Sequence, residues 1–561
     1  MLYLTSDNFP IFLPFGVIGF YRYFWFCIRL AASFAYRPIP LPQSPTYLAD
    51  EDVTIIVPTI DAGDEFKDAA RSWLVGNPKE ILIITEEKML GPLQDLANAV
   101  DPERIRVLTV PFANKRLQMS HGIKNTTTDI IVFADDDAIW PPTLLPYVLA
   151  CFEDQKIGGV GTSQRVQPCG KEMTVWEVLA AFRLSIRNIE IACSTHIDGG
   201  LPCLSGRTAA YRTIILKDPE FLHGFTHDYW LGKYQLNSGD DKFLTRWMVS
   251  HGWSTYVQCC KETELLSTMK PNWRFLKQVL RWTRNTWRSD LRSLFMERHI
   301  WTAHPYVAYT MVDKLFNPFT LLAGPCLVAS LVYKSTLPSE HGGYHLPWWN
   351  ILLSYFTWLL ATRTAKLLPH LWYRPQDVIY VPAFIVFGYY FAVMKLYALC
   401  TLHETGWGTR TGIGDIAAAT AAMDKQDKQG ASNANANVPY EGQSGHGVQS
   451  EVRNEKKSQF DRNDNISNMG APPVMRRRVL DDGQVYDYRG RGSGSGSSGT
   501  AIGSGSSGTA VASGSGSGTA HGQGYEYRLG GFMRSLRDPS GRGSGSERDV
   551  MEMESYPMRT E

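Results

Sequence analysis

The sequence lacks an excess of charge of either sign. Its 561 residues include 56 Lys and Arg against 55 Asp and Glu, so the formal net charge is +1. A strongly basic chain would point to nucleic acid and a strongly acidic one to a solvating tail, and neither applies here. The total charge itself says nothing about nucleic acid or anionic partners, and no nucleic-acid partner is predicted.

Paired cysteine motifs are also missing. No CxxC pair occurs among the nine cysteines, which are Cys27, Cys151, Cys169, Cys193, Cys203, Cys259, Cys260, Cys326 and Cys400. This spacing fits buried thiols in a reducing compartment better than a disulfide or zinc framework. The main folded domain is therefore expected in the cytosol.

Two common nucleotide-binding loops are absent from the part of the chain that reads as folded. No GxGxxG follows a predicted strand and no GxxxxGK[ST] occurs, so neither a dinucleotide fold nor a P-loop ATPase is supported. A removable signal peptide is not expected either, because the apolar stretch at residues 9–34 has no basic segment before it and no small-residue cleavage site after it.

From Val53 onwards, short β-branched runs alternate with helical or loop stretches. The predicted strands are residues 54–59, 81–85, 104–110, 129–134 and 158–162. Alternation of this kind predicts an α/β domain with a mostly parallel sheet of nucleotide-binding type.

Three carboxylates, Asp135, Asp136 and Asp137, follow the strand at residues 129–134 directly. In an open α/β sheet, the carboxyl ends of the strands form the ligand crevice. Carboxylates this close are unfavourable unless a cation neutralises them, and hard divalent ions prefer oxygen ligands plus substrate phosphates. The triplet therefore indicates a metal–diphosphate site in which Asp135 and Asp137 point the same way. The alternative is an acidic turn that caps the next element.

Four apolar stretches approach the ~20 residues needed to span a bilayer; they are residues 9–34, 316–333, 347–361 and 378–399. The loop at residues 362–377 carries three basic residues, so positive-inside logic puts it and the 45–300 domain in the cytosol. Because Arg22 interrupts the first stretch, an in-plane anchor is an alternative there. The span count alone leaves the side of the C-terminus open.

Residues 273–295 are predicted to form a long amphipathic helix. Its apolar face is formed by Leu276, Leu280, Trp287, Leu291 and Leu294, and its basic stripe by Lys277, Arg281, Arg284, Arg288 and Arg292. This pattern is typical of a helix at a membrane surface. A solvated basic face on a soluble domain is the alternative.

The predicted organisation has five parts. They are a membrane anchor with a stiff Pro-rich linker (1–44), a cytosolic domain (45–272), the amphipathic helix (273–300), a transmembrane region (301–410) and a tail (411–561). The tail repeats the sequence GSSGTA at 496–501 and 505–510. Its Gly/Ser-rich composition cannot build a packed core, so disorder is predicted.

Four clusters occur in one order along the chain: Glu86-Glu87, the triplet at 135–137, Gly239-Asp240-Asp241, and the QxxRW sequence at 278–282. In this order the chain resembles the membrane-embedded, processive family 2 glycosyltransferases over roughly residues 45–410. The resemblance is strongest to hyaluronan-synthase-type enzymes and their fungal capsular-polysaccharide-synthase-like branch. A QxxRW after a GDD and before apolar spans is the specific part of this signal.

The resemblance implies a type A glycosyltransferase-like sheet, a UDP-sugar donor, a growing polysaccharide as acceptor and Mg²⁺ or Mn²⁺ as cofactor. It assigns Asp135 and Asp137 to the metal on the donor diphosphate, with Asp136 at the nucleotide-sugar site. It assigns Asp241 as the general base towards the acceptor hydroxyl, with Asp240 beside it. The alternative for the last two is a pair of acids at a helix N-terminus.

The QxxRW residues Gln278, Arg281 and Trp282 are spaced to share one helical face. The resemblance assigns Arg281 to the leaving diphosphate, and Gln278 and Trp282 to the acceptor. For Trp282 alone, an interfacial anchor is an equal alternative. Gly206 lies in the segment 203–212, which resembles the acceptor side of the family's site.

Other assignments rest on shorter matches. Lys115 is assigned to the nucleotide, with a surface charge as the alternative. Near the second strand the family usually has an Asp that binds the nucleoside, whereas this chain has Glu86, and Asp61 competes with it. Trp407 and Arg410 match a motif that returns to the cytosolic site after the last span, which argues for an inside C-terminus.

The expected activity is that of a membrane-bound inverting hexosyltransferase that builds an extracellular or cell-wall polysaccharide, in a fungal plasma membrane by resemblance. The closest alternative is a chitin-synthase-like GlcNAc polymerase, although such enzymes typically carry EDR and QRRRW-like motifs. A non-processive lipid-sugar synthase usually lacks QxxRW. A non-catalytic transporter or scaffold leaves the acidic clusters unexplained. The sugar, its linkage and the oligomeric state stay open.

Overall fold

The computed structural model describes residues 3–6, 9–60, 63, 65–338 and 347–406. The strands are β1 Tyr3–Ser6, β2 Phe9–Phe12, β3 Val53–Pro58, β4 Glu80–Glu86, β5 Ile105–Val110, β6 Ile130–Ala134, β7 Ala138–Ile139, β8 Ile157–Thr162, β9 Gln164–Gln167, β10 Thr208–Arg212, β11 Tyr229–Trp230, β12 Tyr234–Gln235, β13 Ser254–Gln258 and β14 Leu265–Thr268. The five strands predicted from the sequence are β3, β4, β5, β6 and β8, and all five predictions are confirmed.

The helices alternate with these strands and then follow them. They are α1 Leu13–Ala35, α2 Ala49–Asp52, α3 Glu65–Val75, α4 Leu90–Val100, α5 Lys115–Asn125, α6 Leu144–Cys151, α7 Val175–Asp198, α8 Thr213–Leu216, α9 Pro219–Thr226, α10 Asp240–Ser250, α11 Arg274–Leu291, α12 His299–Ala303, α13 Pro305–Ser335, α14 Trp348–Tyr373 and α15 Val381–Cys400. Short 3-10 segments cover Glu87–Met89, Lys261–Thr263 and Pro375–Tyr380, and a π-helical turn covers Arg292–Glu297.

Within the described residues, the central sheet has seven strands in the order β13-β8-β10-β6-β3-β4-β5. The pairs on either side of β10 are antiparallel, and the other pairs are parallel. The predicted mostly parallel α/β sheet is therefore confirmed. A separate sheet has three strands in the order β7-β14-β9. Its strand β7 directly follows the triplet in the sequence.

The apolar runs of the central strands are buried on both faces. In β3, Ile55 belongs to one core cluster with Trp73, and Ile56 belongs to the other with Ile123 and Tyr211. Strands in the interior of a parallel sheet need such uninterrupted apolar sequence because helices cover both faces. The polar residues are consequently displaced to the strand ends, where the triplet follows β6.

Two helical stretches in the described part of the chain are long and apolar enough to cross a membrane, Pro305–Ser335 and Pro375–Cys400. They contain the predicted spans 316–333 and 378–399. The predicted spans 9–34 and 347–361 also form helices, α1 and α14, but neither reaches that combination of length and apolarity. The first prediction was wrong at its start, because residues 9–12 belong to β2. The linker at 37–45 is non-helical, as predicted.

The predicted amphipathic helix forms as α11, but its basic stripe binds inside the protein. Arg284 pairs with Glu404 at 2.6 Å, and Arg288 donates to the carbonyl oxygens of Leu402 and Glu404 at 3.0 and 2.6 Å. Arg292 pairs with Asp228. The interpretation of this stripe as a lipid- or water-facing surface is therefore wrong for these three arginines. A helical pattern locates a basic face but does not reveal its partners.

Candidate active site

The triplet begins where β6 ends, and its three carboxylates take three different partners. Asp135 accepts a hydrogen bond from Lys115 Nζ at 2.9 Å, and Asp136 accepts one from Thr59 Oγ1 at 2.5 Å. Asp137 pairs with Arg207 Nη1 at 3.2 Å and accepts from Thr268 Oγ1 at 2.7 Å. Asp135 and Asp137 therefore take different donors, although both line the cavity described below.

The strand order explains these contacts. β3 and β6 are parallel neighbours, so Thr59 after β3 and Asp136 after β6 meet at one edge. β10 runs antiparallel to β6, with Thr208 opposite Ala134, so Arg207 lies beside the triplet and its carbonyl accepts from Asp135 N at 2.9 Å. The strand order of the sheet therefore places both Thr59 and Arg207 next to the triplet.

Because their partners differ, the pKa values of Asp136 and Asp137 shift in opposite directions. Burial alone would raise the pKa of Asp137, but the Arg207 charge and the Thr268 hydrogen bond outweigh it and lower the pKa. The pKa of Asp136 is raised to about 6, mainly by burial and further by the neighbouring charges of Asp135 and Asp137. The hydrogen bond from Thr59 has the opposite, lowering effect. Asp137 is thus held as a carboxylate.

Lys115 joins the triplet to the GDD sequence. The side chain of Asn114 caps α5 by accepting from the backbone N–H groups of Arg116 and Leu117, which fixes Lys115 at the first helical position. Its ammonium lies 2.9 Å from Asp135 and 3.3 Å from Asp240. Burial would lower the pKa of Lys115, but these two carboxylates raise it instead. The surface-charge alternative is therefore wrong for this residue.

Gly239 and the two acids after it begin α10. Gly239 has φ 81°, in the left-handed region, and a Cβ there would lie 3.3 Å from Asn285 Cγ. Burial would raise the pKa of Asp240, but the charges of Lys115 and Arg116 outweigh it and lower the pKa. Both acids lie in the first turn of the helix, as the N-terminal alternative predicted.

The Asp241 carboxylate is held from two sides. Its Oδ1 accepts from the backbone N–H of Lys242 at 2.8 Å, and its Oδ2 accepts from the thiol of Cys203 at 3.2 Å. A Cβ on Gly206 would lie 3.4 Å from Asp241 Cβ and 3.6 Å from the carboxylate. Glycine at 206 therefore keeps the space over this acid open.

The QxxRW residues reach the same place from α11. Gln278, Arg281 and Trp282 line one cavity with the triplet and the GDD acids. Burial lowers the pKa of Arg281, and the carboxylates of Asp240, Asp135 and Asp241 oppose that change. Arg281 is thus within electrostatic range of both acidic clusters, which the spacing of the motif alone could not establish.

The cavity has a volume of about 1250 Å³ and extends from the triplet to a space between α7, α13 and α15. The predicted site residues that line it are Lys115, Asp135, Asp136, Asp137, Gly206, Asp240, Asp241, Gln278, Arg281 and Trp282. Glu86 is not among its lining residues, and its carboxylate pairs with Lys88 at 2.7 Å. Trp407, Arg410 and Asp61 lie outside the described residues. The roles assigned to these four residues stay predictions.

Asp135 and Asp137, the two acids that were predicted to bind a metal, both line this cavity. In the described part of the chain, no group of three His, Cys, Asp or Glu side chains could hold a metal by itself. Mg²⁺ is commonly held by one or two carboxylates together with substrate phosphates and water. The donor set therefore fits a metal that arrives with a diphosphate and does not fit a closed protein cage.

Sequence reasoning missed the buried ion cluster that supports the site. Asp228 accepts from Arg116 Nη2 at 3.1 Å and pairs also with Arg292, and Arg246 lies 3.9 Å away. Arg116 reaches the carbonyl oxygens of Ser238 and Gly239 at 3.5 Å as well. This cluster ties the start of α5 to the turn before α10 and to the π-helical turn that follows α11. The position of Arg116 next to Lys115 was the only available signal in the sequence.

We expect Asp228→Asn to lower the free energy of unfolding by about 3–5 kcal/mol, because it leaves buried guanidinium groups without their carboxylate. The matched control is Asp68→Asn, which removes an exposed carboxylate 3.6 Å from Arg71 and should change stability by less than about 0.5 kcal/mol. Thermal unfolding of the purified proteins in detergent compares the two. Equal melting temperatures would contradict the supporting role of Asp228.

Comparison with known proteins supplies independent evidence. The profile of the family described as "Glycosyltransferase like family 2" matches residues 50–285. A "Type 2 glycosyltransferase" of Zymoseptoria tritici is 43% identical over 394 residues, 70% of this chain and 82% of that protein. One of Gibberella zeae with the same description is 39% identical over 409 residues, 72% of this chain and 76% of its own length. "Hyaluronan synthase 1" of Xenopus laevis is 27% identical over 293 residues, 48% of this chain and 45% of that protein.

Proposed function

Because the chain belongs to glycosyltransferase family 2, we propose that it transfers sugar from a UDP-sugar to the end of a growing polysaccharide. We place the enzyme in a membrane, with the sheet domain in the cytosol and the product leaving the cell. The activity is that of an inverting hexosyltransferase, and Mg²⁺ or Mn²⁺ is its metal.

One observation carries this proposal. Two acidic clusters from distant parts of the chain, Asp135–Asp137 and Asp240–Asp241, meet with Arg281 at one end of a single large cavity. Carboxylates and a guanidinium around one open space suit a reaction that moves a diphosphate leaving group and a hydroxyl proton. A transporter or scaffold would need no such arrangement.

Asp241 is the proposed general base. Its carboxylate is oriented by the N–H of Lys242 and the thiol of Cys203, and it faces the space that Gly206 leaves open. The acceptor hydroxyl gives its proton to Asp241 as its oxygen bonds to the anomeric carbon of the donor. The bond from that carbon to the diphosphate oxygen breaks, and UDP leaves with the electron pair. Attack from the opposite face inverts the sugar carbon.

The other charged residues of the site bind the donor. Asp135 and Asp137 would hold the metal, which when bound would offset the negative charge of the diphosphate. Arg281 pairs with the leaving phosphate, since a guanidinium forms bidentate contacts with phosphate oxygens. Lys115 bridges Asp135 and Asp240 at 2.9 and 3.3 Å, so the ammonium links donor binding to the GDD acids.

The membrane location is supported by the helices that border the cavity. Residues of α13 and α15 line it, and each lies in a stretch long and apolar enough to span a bilayer. A cavity that continues from the reacting groups to a space between such helices would let the product leave directly. Exposed aromatic side chains such as Trp348, Trp349 and Trp358 on α14 suit contact with lipid.

The test is UDP release by the full chain in isolated membranes across a panel of UDP-sugars, with Mg²⁺, with Mn²⁺ and with a chelator. We expect one donor or one pair of donors to support release, and chelation to stop it. Membranes without the chain give the background. No release above that background with any donor would contradict the proposal. A chitinase-sensitive product would favour the GlcNAc polymer alternative.

A further inference from the structure

The hairpin of β11 and β12 lies between Asp228 and the GDD sequence, and its tip has an unusual backbone. Leu231 and Gly232 connect the two antiparallel strands. The backbone N–H of Lys233 donates to the carbonyl oxygen of Trp230 at 3.1 Å, which closes a four-residue turn. Both central residues have a positive φ, 53° at Leu231 and 67° at Gly232, as in a type I′ turn.

Leucine is an unfavourable residue for this turn. Type I′ turns prefer Asn, Asp or Gly at their first central position, because a positive φ brings a Cβ close to the following carbonyl oxygen. Packing does not explain the leucine, since 66% of Leu231 is exposed. Strained residues of this kind are found where a side chain has a task outside the core of the fold. The tip therefore indicates a contact that the protein alone does not supply.

The inner face of the hairpin is attached to the rest of the protein. Trp230 and Leu236 are buried, and they pack in one cluster with Trp287 of α11 and with the end of α15. Arg292, in the π-helical turn after α11, donates to the carbonyl oxygen of Tyr229. These contacts fix the hairpin and leave its tip on the outside.

The same cluster lies where two apolar stretches meet the sheet domain. Its residues from α15 are Ala398, Leu399 and Leu402, at the end of the stretch Pro375–Cys400 that is long and apolar enough to span a bilayer. Leu315 of α13 packs against the cluster directly before the predicted span 316–333. Because the proposed function places these stretches across a bilayer, the hairpin lies at the level of the lipid headgroups.

The outer side chains of the hairpin suit that level of a bilayer. Tyr229, Leu231 and Lys233 are all exposed. Tyrosine is enriched at membrane–water interfaces, and a lysine can lay its stem along apolar surface while its ammonium reaches the lipid phosphates. Lys233 Nζ lies 5.3 Å from the ring centroid of Tyr234, so the cation and the aromatic ring occur together. Leu231 is the apolar group between them.

We propose that this hairpin docks on the lipid surface, with the Leu231 side chain inserted at the boundary between headgroups and acyl chains. Burial of the leucine in lipid offsets the strain of its backbone. The hairpin follows Asp228, which holds Arg116, and it leads into the turn before the GDD acids. The contact therefore anchors to the bilayer the segment that carries the proposed base. The position of the bilayer rests on the proposed function.

The test uses the full chain in phosphatidylcholine nanodiscs, with a genetically encoded dansyl amino acid in place of one residue. The three positions are Leu231, Val386 within the stretch Pro375–Cys400, and Val75, and all three side chains are more than half exposed. Val75 is the control, because α3 returns from the carboxyl end of β3 towards the amino end of β4, away from the site. Nitroxide quenchers are attached to the lipid either just below the headgroup or near the end of the acyl chain.

We expect the probe at position 231 to lose emission with the shallow quencher, since interfacial segments insert about 5–10 Å into the headgroup and acyl boundary. The probe at position 386 should lose emission with the deep quencher, and the probe at position 75 with neither. A probe at 231 that is shielded from water and yet not quenched would mean that the remainder of the chain or a second copy covers the tip. That result would overturn the proposal.

Two variants separate the lipid contact from the geometry of the turn. Leu231→Asn removes the apolar tip and suits the positive φ, so its melting temperature in detergent should rise by about 1–3 °C. With the dansyl probe at position 229, the same variant should lose most of the quenching by the shallow quencher. Leu231→Met keeps an apolar side chain and should keep the quenching. Equal quenching in the two variants would overturn the role of Leu231.

Failure of this inference can be distinguished from failure of the proposed function. Quenching at position 386 without quenching at position 231 overturns the lipid contact and leaves the membrane location intact. Quenching at position 231 in a protein that releases no UDP from any donor supports the lipid contact and overturns the transferase. Absence of quenching at position 386 overturns the membrane location and the lipid contact together.

Discussion

Asp241→Asn is expected to lower the rate of sugar transfer by about 10²–10⁴-fold while donor binding is unchanged. Asparagine keeps the size of the side chain, and its amide oxygen can still accept the 2.8 Å hydrogen bond from Lys242 N. It cannot take a proton from the acceptor hydroxyl at neutral pH. The loss should therefore appear in kcat and in kcat/KM to the same extent, as for an interaction made only in the transition state.

The measurement is UDP release by purified protein over a range of donor concentrations, with UDP affinity measured separately. Asp68→Asn, which changes an exposed acid far along the chain, is the control for a lost charge. The substitution Asp240→Asn at the neighbouring acid provides a useful comparison. It removes one of the two carboxylate partners of Lys115 and should weaken donor binding as well as turnover. Transfer by Asp241→Asn at the wild-type rate would contradict its role as base.

Asp137→Asn is expected to lower turnover by about 100-fold or more, because a metal on the diphosphate contributes several kcal/mol to leaving-group stabilisation. Among the triplet, Asp137 is the acid whose pKa is lowered, against the effect of burial, by Arg207 and Thr268. A carboxylate that stays charged without a metal is pre-arranged to receive one. Chelation of the wild-type enzyme should produce a loss of similar size.

The two losses should not add. If Asp137 acts through the metal, a chelator should have little further effect on Asp137→Asn, since both changes remove the same interaction. Thr268→Val is the matched control, because it removes the 2.7 Å hydrogen bond to Asp137 and leaves the charge in place. It should retain most of the activity and its dependence on metal. Full additivity of chelation and Asp137→Asn would assign the metal to another site, or the acid to another task.

The strands β3 and β6 beside the site were predictable because their sequences are typical of buried strands and of no other element. Ile130–Ala134 and Val53–Pro58 are uninterrupted apolar runs, and such runs bounded by polar residues are typical of strands buried on both faces. β10 and β13 were not predicted. Thr208–Arg212 contains two alanines, carries no strong strand preference, and pairs antiparallel with β6 only because the fold brings it there.

The partners of the acids were not predictable for a related reason. Arg207 and Thr268 lie 70 and 131 residues along the chain from Asp137. Neither belongs to a short motif, and their side chains reach the acid through strand order and the placement of β14. The same holds for Asp228, which stabilises the GDD turn from a hairpin of no distinctive sequence.

By itself the sequence determined five of the seven strands of the central sheet, the acids at its edge, the QxxRW helix and the positions of the apolar helices, because these depend on local periodicity and on contiguous residues. Only the tertiary structure decided that Lys115 bridges two acidic clusters, that the arginines of α11 bind within the protein, and that the acids and the QxxRW residues line one cavity. Those features depend on contacts between residues far apart in the chain, and no local pattern encodes the distance between them.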